Sequence, residues 1–144
     1  MKSRLKMAEI VPEAYKAMYG LERYINGTEL SKGHKHLIKI RASQINGCAF
    51  CINMHTEDAR KDGETEKRIY ALNAWWDTNY FTPEERALLA LTEEVTKITG
   101  RVSDETYENA VNLLGEKYTA EAIMAIAVIN TWNRMSISVH LMPE

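Results

Sequence analysis

The sequence predicts an all-α protein, and three observations carry that prediction. β-branched runs are few, apolar residues recur at helical spacing, and good helix caps and stops separate the periodic segments. Only seven glycines and three prolines interrupt 144 residues. A single domain over residues 1–144, of about six to seven helices, is therefore expected.

A first helix is expected from Pro12 or Glu13 to about Tyr24, closed by Asn26-Gly27. A second starts near Ser31 and presents two apolar faces. Leu37, Ile40, Arg41 and Gln44 lie along one; Ile38, Ala42 and Ile45 lie along the next. Asn46-Gly47 ends it, because both residues tolerate left-handed backbone angles. A third begins at or just before Cys48 and stops near Asp62-Gly63, and Glu64 to Trp76 reads as a fourth.

Thr82-Pro83-Glu84-Glu85 is a helix start: a capping hydroxyl, a proline at the first helical position and two acids facing the dipole. That helix runs to about Thr99. Ser103-Asp104-Glu105 opens a sixth, ending near Gly115, and Thr119-Ala120-Glu121 opens a last one reaching towards His140. The last is apolar nearly all round from Ala122 to Ile129, as befits a helix buried on several sides. Trp75, Trp76, Tyr80 and Phe81 form an aromatic cluster. Adjacent tryptophans diverge by about 100° on a helix, so one of them is expected to leave the core and mark a subunit interface.

Composition excludes some classes of function. Hydrophobic residues make up 45% and charged residues 26%, with a formal charge of −2 and both signs mixed. That is ordinary for a globular domain and offers no basic patch for nucleic acid. The start MKSRLKMAEIVPEAY lacks the apolar region of a secretory signal, and AIMAIAVI is too short to span a bilayer. A cytosolic protein with neither nucleic-acid nor membrane partner is expected, and no cofactor is indicated. In a reducing compartment, two cysteines three apart argue for catalysis or metal binding over a structural disulfide.

Those two, Cys48 and Cys51, are the only cysteines in the chain, and His55 follows one turn later. On a helix Cys51 lies about 60° and His55 about 20° around the axis from Cys48, so all three share a face. Free amides and the helix dipole at the first turn favour a thiolate at Cys48. A second thiol nearby can close a disulfide, and His55 can exchange a proton near neutral pH. The residues alone leave three readings open: dithiol redox chemistry, metal binding, or no chemistry.

The string IRASQINGCAFCINMHTEDARKDGETEKRIYALNAW closely resembles the core of the carboxymuconolactone decarboxylase-like superfamily, in its AhpD-like alkylhydroperoxidase branch. The resemblance continues through TPEERALLALTEEVTKI to AIAVINTWNRMSI, roughly residues 30 to 138. It implies an all-helical AhpD-like bundle that assembles as a trimer or as a hexamer of three dimers. It also implies hydroperoxide reduction at Cys48 and Cys51, with restoration by an external thiol reductant and a site near a subunit interface.

The same resemblance assigns His55 to a proton relay. The family's relay glutamate, twelve residues before the first cysteine, falls on His36, and a polar residue common before the second cysteine is Phe50 here. An imidazole at His36 can still act as a base or stabilise a thiolate. Phe50, about 160° from Cys48, is expected to pack. If His36 faces the site, Cys48, Cys51, His55 and His36 make a Cys₂His₂ set that zinc would accept. Against it, Cys48 and His55 stand about 10 Å apart along a helix. A lactone-processing lyase is the other enzymatic alternative, although it has no need of two cysteines. Asn130, Trp132 and Asn133 are expected to be structural, Arg134 to pair at an interface, His34 to be solvated, His140 to lie in a frayed end, and Met54 to be core.

Overall fold

A computed structural model describes residues 2–144, and among these it contains helices and no strand. Eight α-helices follow in order: α1 Met7–Ile10, α2 Pro12–Asn26, α3 Lys32–Asn46, α4 Ala49–Lys61, α5 Glu66–Ala71, α6 Pro83–Thr96, α7 Asp104–Leu114 and α8 Glu116–Ser138. Short 3₁₀ helices cover Leu72–Asp77 and Ile98–Gly100. The element beyond the expected six to seven is α1, a single four-residue turn with no buried residue and no side-chain cap. It has no amphipathic face to read.

Local chemistry sets most of the boundaries. Ser31, Thr65, Thr82 and Ser103 each accept an amide N–H three residues on. At Thr82 the Glu85 carboxylate returns the bond, completing a capping box. Gly47 ends α3 with φ 71°, and the Cys48 amide donates to the Ser43 carbonyl (3.0 Å) across the turn. A residue with a Cβ is strained at that φ.

Two expectations fail through tertiary contacts. The segment Glu64–Trp76 is not one helix. It breaks into α5 and a 3₁₀ segment, with Ala74 at φ −131° and ψ 33°. Arg86 takes the carbonyls of Trp75, Trp76 and Thr78, and the Trp75 indole N–H donates to Glu93 (2.9 Å), so the chain is held by α6. The last helix starts at Glu116, before Thr119. Gly115, at φ 86°, reverses the chain in one residue, and Glu121 is buried because its carboxylate accepts the Glu29 amide (3.0 Å).

α3 lies between two apolar clusters, and its two faces are those legible in the sequence. Ile38 and Ala42 join Met18, Leu88, Leu91, Ala125, Ile126 and Ile129 in the larger core. Leu37 and Ile40 join Ala59, Leu72, Trp75, Phe81 and Leu89 in the smaller one. Each fully buried aliphatic side chain contributes about 1.5–3 kcal/mol. Of the two tryptophans one does leave the core: Trp75 is buried and Trp76 is 47% exposed.

An amide network joins α3 to α8 just before Cys48. Asn46 Nδ2 donates to Asn130 Oδ1 and to Asn133 Oδ1, both at 2.9 Å. Asn133 Nδ2 donates to Ser43 Oγ (3.0 Å), and Asn130 Nδ2 to Thr96 Oγ1 (3.0 Å). Both N–H groups of Asn46 are thus used. Arg134 bonds back to the Asn130 carbonyl and side-chain oxygens within α8.

Candidate active site

The two cysteines sit at the start of α4 and are joined as a disulfide. Cys48 is the N-cap residue, and its Sγ accepts the N–H of Cys51 at 3.3 Å. Both sulfurs are therefore at the end of the helix where free amides stabilise an anion. Cys48, Cys51 and His55 are all buried, so water reaches the pair only through the cavities around it.

Those cavities are different on the two sides. Cys51 and His55 open into one of about 370 Å³, walled by Tyr15, Tyr19, Phe50, Met54 and Trp132. Cys48 opens into another of about 280 Å³, closed by His140, Leu141, Met142 and Pro143. A wider groove of about 980 Å³, lined by Arg41, Ile52, Arg60 and Tyr70, contains neither cysteine and neither His36 nor His55. Chemistry, not size, identifies the first cavity as the candidate site.

Burial, and secondarily the charges of Lys39 and His36, push the His55 pKa down to about 3. Beside the disulfide His55 is consequently a neutral imidazole at physiological pH. His36 does not join the sulfurs. Its Nε2 lies 2.7 Å from Asp62 Oδ2, while its Nδ1 is buried with no protein partner. The hydrogen bond from His36 holds the Asp62 carboxyl below its ordinary pKa. His36, His55, Lys39 and Asp62 share a third cavity of about 150 Å³. The four residues of the alternative zinc set do not converge. Among the described residues no group of three or more His, Cys, Asp and Glu side chains is placed to hold a metal.

Several side chains depart from expectation. Met54, 39% exposed, lines the cavity wall in place of packing in the core, and Phe50 packs into the same wall. His34 is half-buried, its Nδ1 2.6 Å from the Tyr118 hydroxyl, and burial lowers its pKa. His140 is not frayed. It takes φ 53° just after α8, where its amide donates to Ile137 and that of Leu141 donates to Ser136, a closed helix C-cap. Arg4 ties down the same end through the Val139 and Ser138 carbonyls.

Two residues of the site had no signal in the CxxCxxxH spacing. Lys39 Nζ pairs with Glu22 Oε2 at 3.1 Å, and both line the Cys51 cavity. The Trp132 indole N–H donates to the other Glu22 oxygen (3.0 Å). Lys39 follows His36 by one helical turn on α3, a face-sharing spacing that could have pointed to it. Glu22 comes from another helix and left no such trace.

The model of the carboxymuconolactone decarboxylase family matches residues 11–94, more than half of the chain. The chain belongs to that family. The uncharacterized protein YdfG of Bacillus subtilis (strain 168) is 46% identical over 139 residues, covering 96% of this chain and 95% of YdfG. The crystal structure of ATU0492 from Agrobacterium tumefaciens superposes with a TM-score of 0.96 at 38% identity, covering 99% of each chain. ATU0492 is a protein of unknown function suggested to be the antioxidant defence protein AhpD. The debrominase Bmp8 shares the fold, with a TM-score of 0.84 at 19% identity over 92% of this chain and 72% of its own. The AhpD-like bundle inferred from the CxxCxxxH string is the fold of this family member.

Proposed function

We propose that this protein is a thiol-dependent peroxidase, a disulfide oxidoreductase that reduces hydroperoxides with Cys51 as the attacking thiol and Cys48 as the resolving thiol. The carrying observation is that Cys51 shares its cavity with His55, whereas Cys48 faces the C-terminal segment. In the dithiol state His55 accepts the Cys51 proton, and the thiolate attacks the outer oxygen of the hydroperoxide. An S–O bond forms as the O–O bond breaks, and the alkoxide takes the proton held by His55 and leaves as the alcohol. Cys48 then attacks the sulfenic acid sulfur, closing the disulfide and releasing water. An external dithiol restores both thiols by exchange.

Disulfide closure across three residues at a helix start supports this reading over a lactone-processing lyase, which would use neither sulfur. The exposed aromatic face around Trp76 supports a homo-oligomer, trimeric or hexameric, and the proposed dithiol cycle, which needs a thiol reductant, supports a cytosolic setting. No helix among the described residues is long and apolar enough to cross a membrane. The test is steady-state consumption of an organic hydroperoxide with dithiothreitol as donor. Turnover in the wild type and its loss in Cys48→Ser and Cys51→Ser are expected; equal rates in all three contradict the proposal.

A further inference from the structure

The dithiol cycle brings two molecules to one disulfide, a hydroperoxide and then a thiol reductant. Neither meets a sulfur at the surface, because Cys48 and Cys51 are each 2% exposed. Cys51 lines the aromatic cavity, and Cys48 lines the one beneath the C-terminal segment. Ser136 and Leu141 line both cavities and so stand between the two approaches. We propose that the Cys48 cavity is a separate entrance for a small thiol reductant, and that residues 141–143 are its gate. This deepens the peroxidase reading and rests on it.

The gate is fastened at its root and free at its tip. The amides of His140 and Leu141 donate to the carbonyls of Ile137 (3.2 Å) and Ser136 (2.9 Å). Arg4 holds the carbonyls of Val139 (2.9 Å) and Ser138 (3.1 Å). Among the described residues no hydrogen bond is made beyond Leu141, and Pro143 has no N–H to offer. Apolar contact alone therefore keeps Met142 and Pro143 over Gly47, Cys48 and Ala49. With Leu141 38% and Met142 43% exposed, little apolar surface is lost when the segment lifts. Segments with few buried contacts and few backbone bonds open at low cost. The cavity, about 280 Å³, falls below the roughly 300–1,000 Å³ that holds drug-sized ligands, so the reductant it admits is a thiol of a few carbon atoms.

Entry on this side also gives a productive leaving group. A reductant thiolate attacks Cys48 Sγ, forming a mixed disulfide as the Cys48–Cys51 bond breaks. The electron pair leaves on Cys51, which emerges as the thiolate that the next hydroperoxide needs. The reductant's second thiol loses its proton and attacks its own sulfur in the mixed disulfide. Cys48 departs as a thiolate and takes up that proton, and the reductant leaves as its disulfide. Two electrons pass to the protein, and the Cys51 cavity stays clear for the oxidant throughout.

The test separates the two half-reactions. The disulfide is formed with diamide, and its reduction by dithiothreitol is followed by trapping free thiols at timed intervals and weighing the intact protein. Met142→Gly combined with Pro143→Gly opens the gate and is expected to speed reduction about 10-fold. Ala49→Trp, at an exposed position on the first turn of α4 that lines this cavity and not that of Cys51, fills the entrance and is expected to slow reduction by about the same factor. Oxidation of the reduced variants by one equivalent of cumene hydroperoxide is expected to keep the wild-type rate. Reduction unchanged in both variants overturns the proposal, and so does a change in oxidation as large as that in reduction. Oxidised wild type is also treated with excess 2-mercaptoethanol in the presence of iodoacetamide. A mixed disulfide on Cys48 with an alkylated Cys51 is expected; the reverse overturns the proposal even if a variant fails to fold. Diamide oxidation needs no peroxide, so a wild type inert to hydroperoxides would defeat the peroxidase reading while the reduction rates and the mapping still decide the entrance.

Discussion

The N–H of Cys51 donates to the sulfur of Cys48 across 3.3 Å, so one redox cysteine caps the helix that carries the other. The proposed catalytic role and the structural role of Cys48 meet in that single contact, and they can be separated by substitution. Serine keeps an oxygen acceptor at the cap and alanine does not. Under reducing conditions Cys48→Ala should be less stable than Cys48→Ser by about 1 kcal/mol in chemical unfolding. Both should lose peroxide turnover alike, and equal stability of the two variants would refute the capping role.

His55 makes the oxidised protein sensitive to acid. Its folded pKa is about 3 against 6.5 for the free group. The unfolded chain therefore binds a proton more readily, and stability falls as pH drops below about 6.5, with the loss complete near pH 3. Above the free value the contribution is fully present. The depression would cost up to a few kcal/mol at the acid end. Unfolding of wild type and His55→Asn at pH 7 and pH 4 checks this: the variant should show a distinctly smaller acid loss.

The amide network predicts a cost that is structural first. Asn133 is fully buried and its two partners, Asn46 and Ser43, lie on α3. Asn133→Leu leaves those groups without one partner each and should destabilise by about 2–3 kcal/mol. Because Asn46 precedes the Gly47-Cys48 turn, disulfide reduction kinetics should change as well. Thermal melting together with the rate of reduction by dithiothreitol measures both effects.

The ion pair at the Cys51 cavity gives a fourth prediction. Glu22 holds Lys39 and the Trp132 indole at once. Glu22→Gln leaves the Lys39 charge uncompensated beside His55, so imidazolium formation becomes harder. Peroxide turnover should fall about 10-fold, with the acid limb of its pH profile moved, while the melting temperature changes little. An unchanged profile would show that the pair only supports the wall.

How much of this was legible in the sequence follows the range of the interactions. Ser31, Thr82 and Ser103 announce their helices because a cap bonds three residues away. The two faces of α3 were legible because burial follows helical period. The break after Ala71 was not, since it depends on Arg86 in a later helix. The partner of His36 lies 26 residues on, at Asp62, and that of His34 lies 84 residues on, at Tyr118. Neither separation leaves a local pattern. The different surroundings of the two cysteines were equally hidden: helical angles place both on one face, and only packing against α2 and the C-terminal segment gives them different cavities.

Trapping the first oxidation product tests the central claim most directly. Reduced Cys48→Ser and Cys51→Ser proteins are each mixed with one equivalent of an organic hydroperoxide in the presence of dimedone, and the intact masses are measured. A sulfenic acid adduct on Cys51 in the Cys48→Ser protein, with none on Cys48 in the Cys51→Ser protein, is the predicted result. An adduct on Cys48 alone, or on neither cysteine, would contradict it.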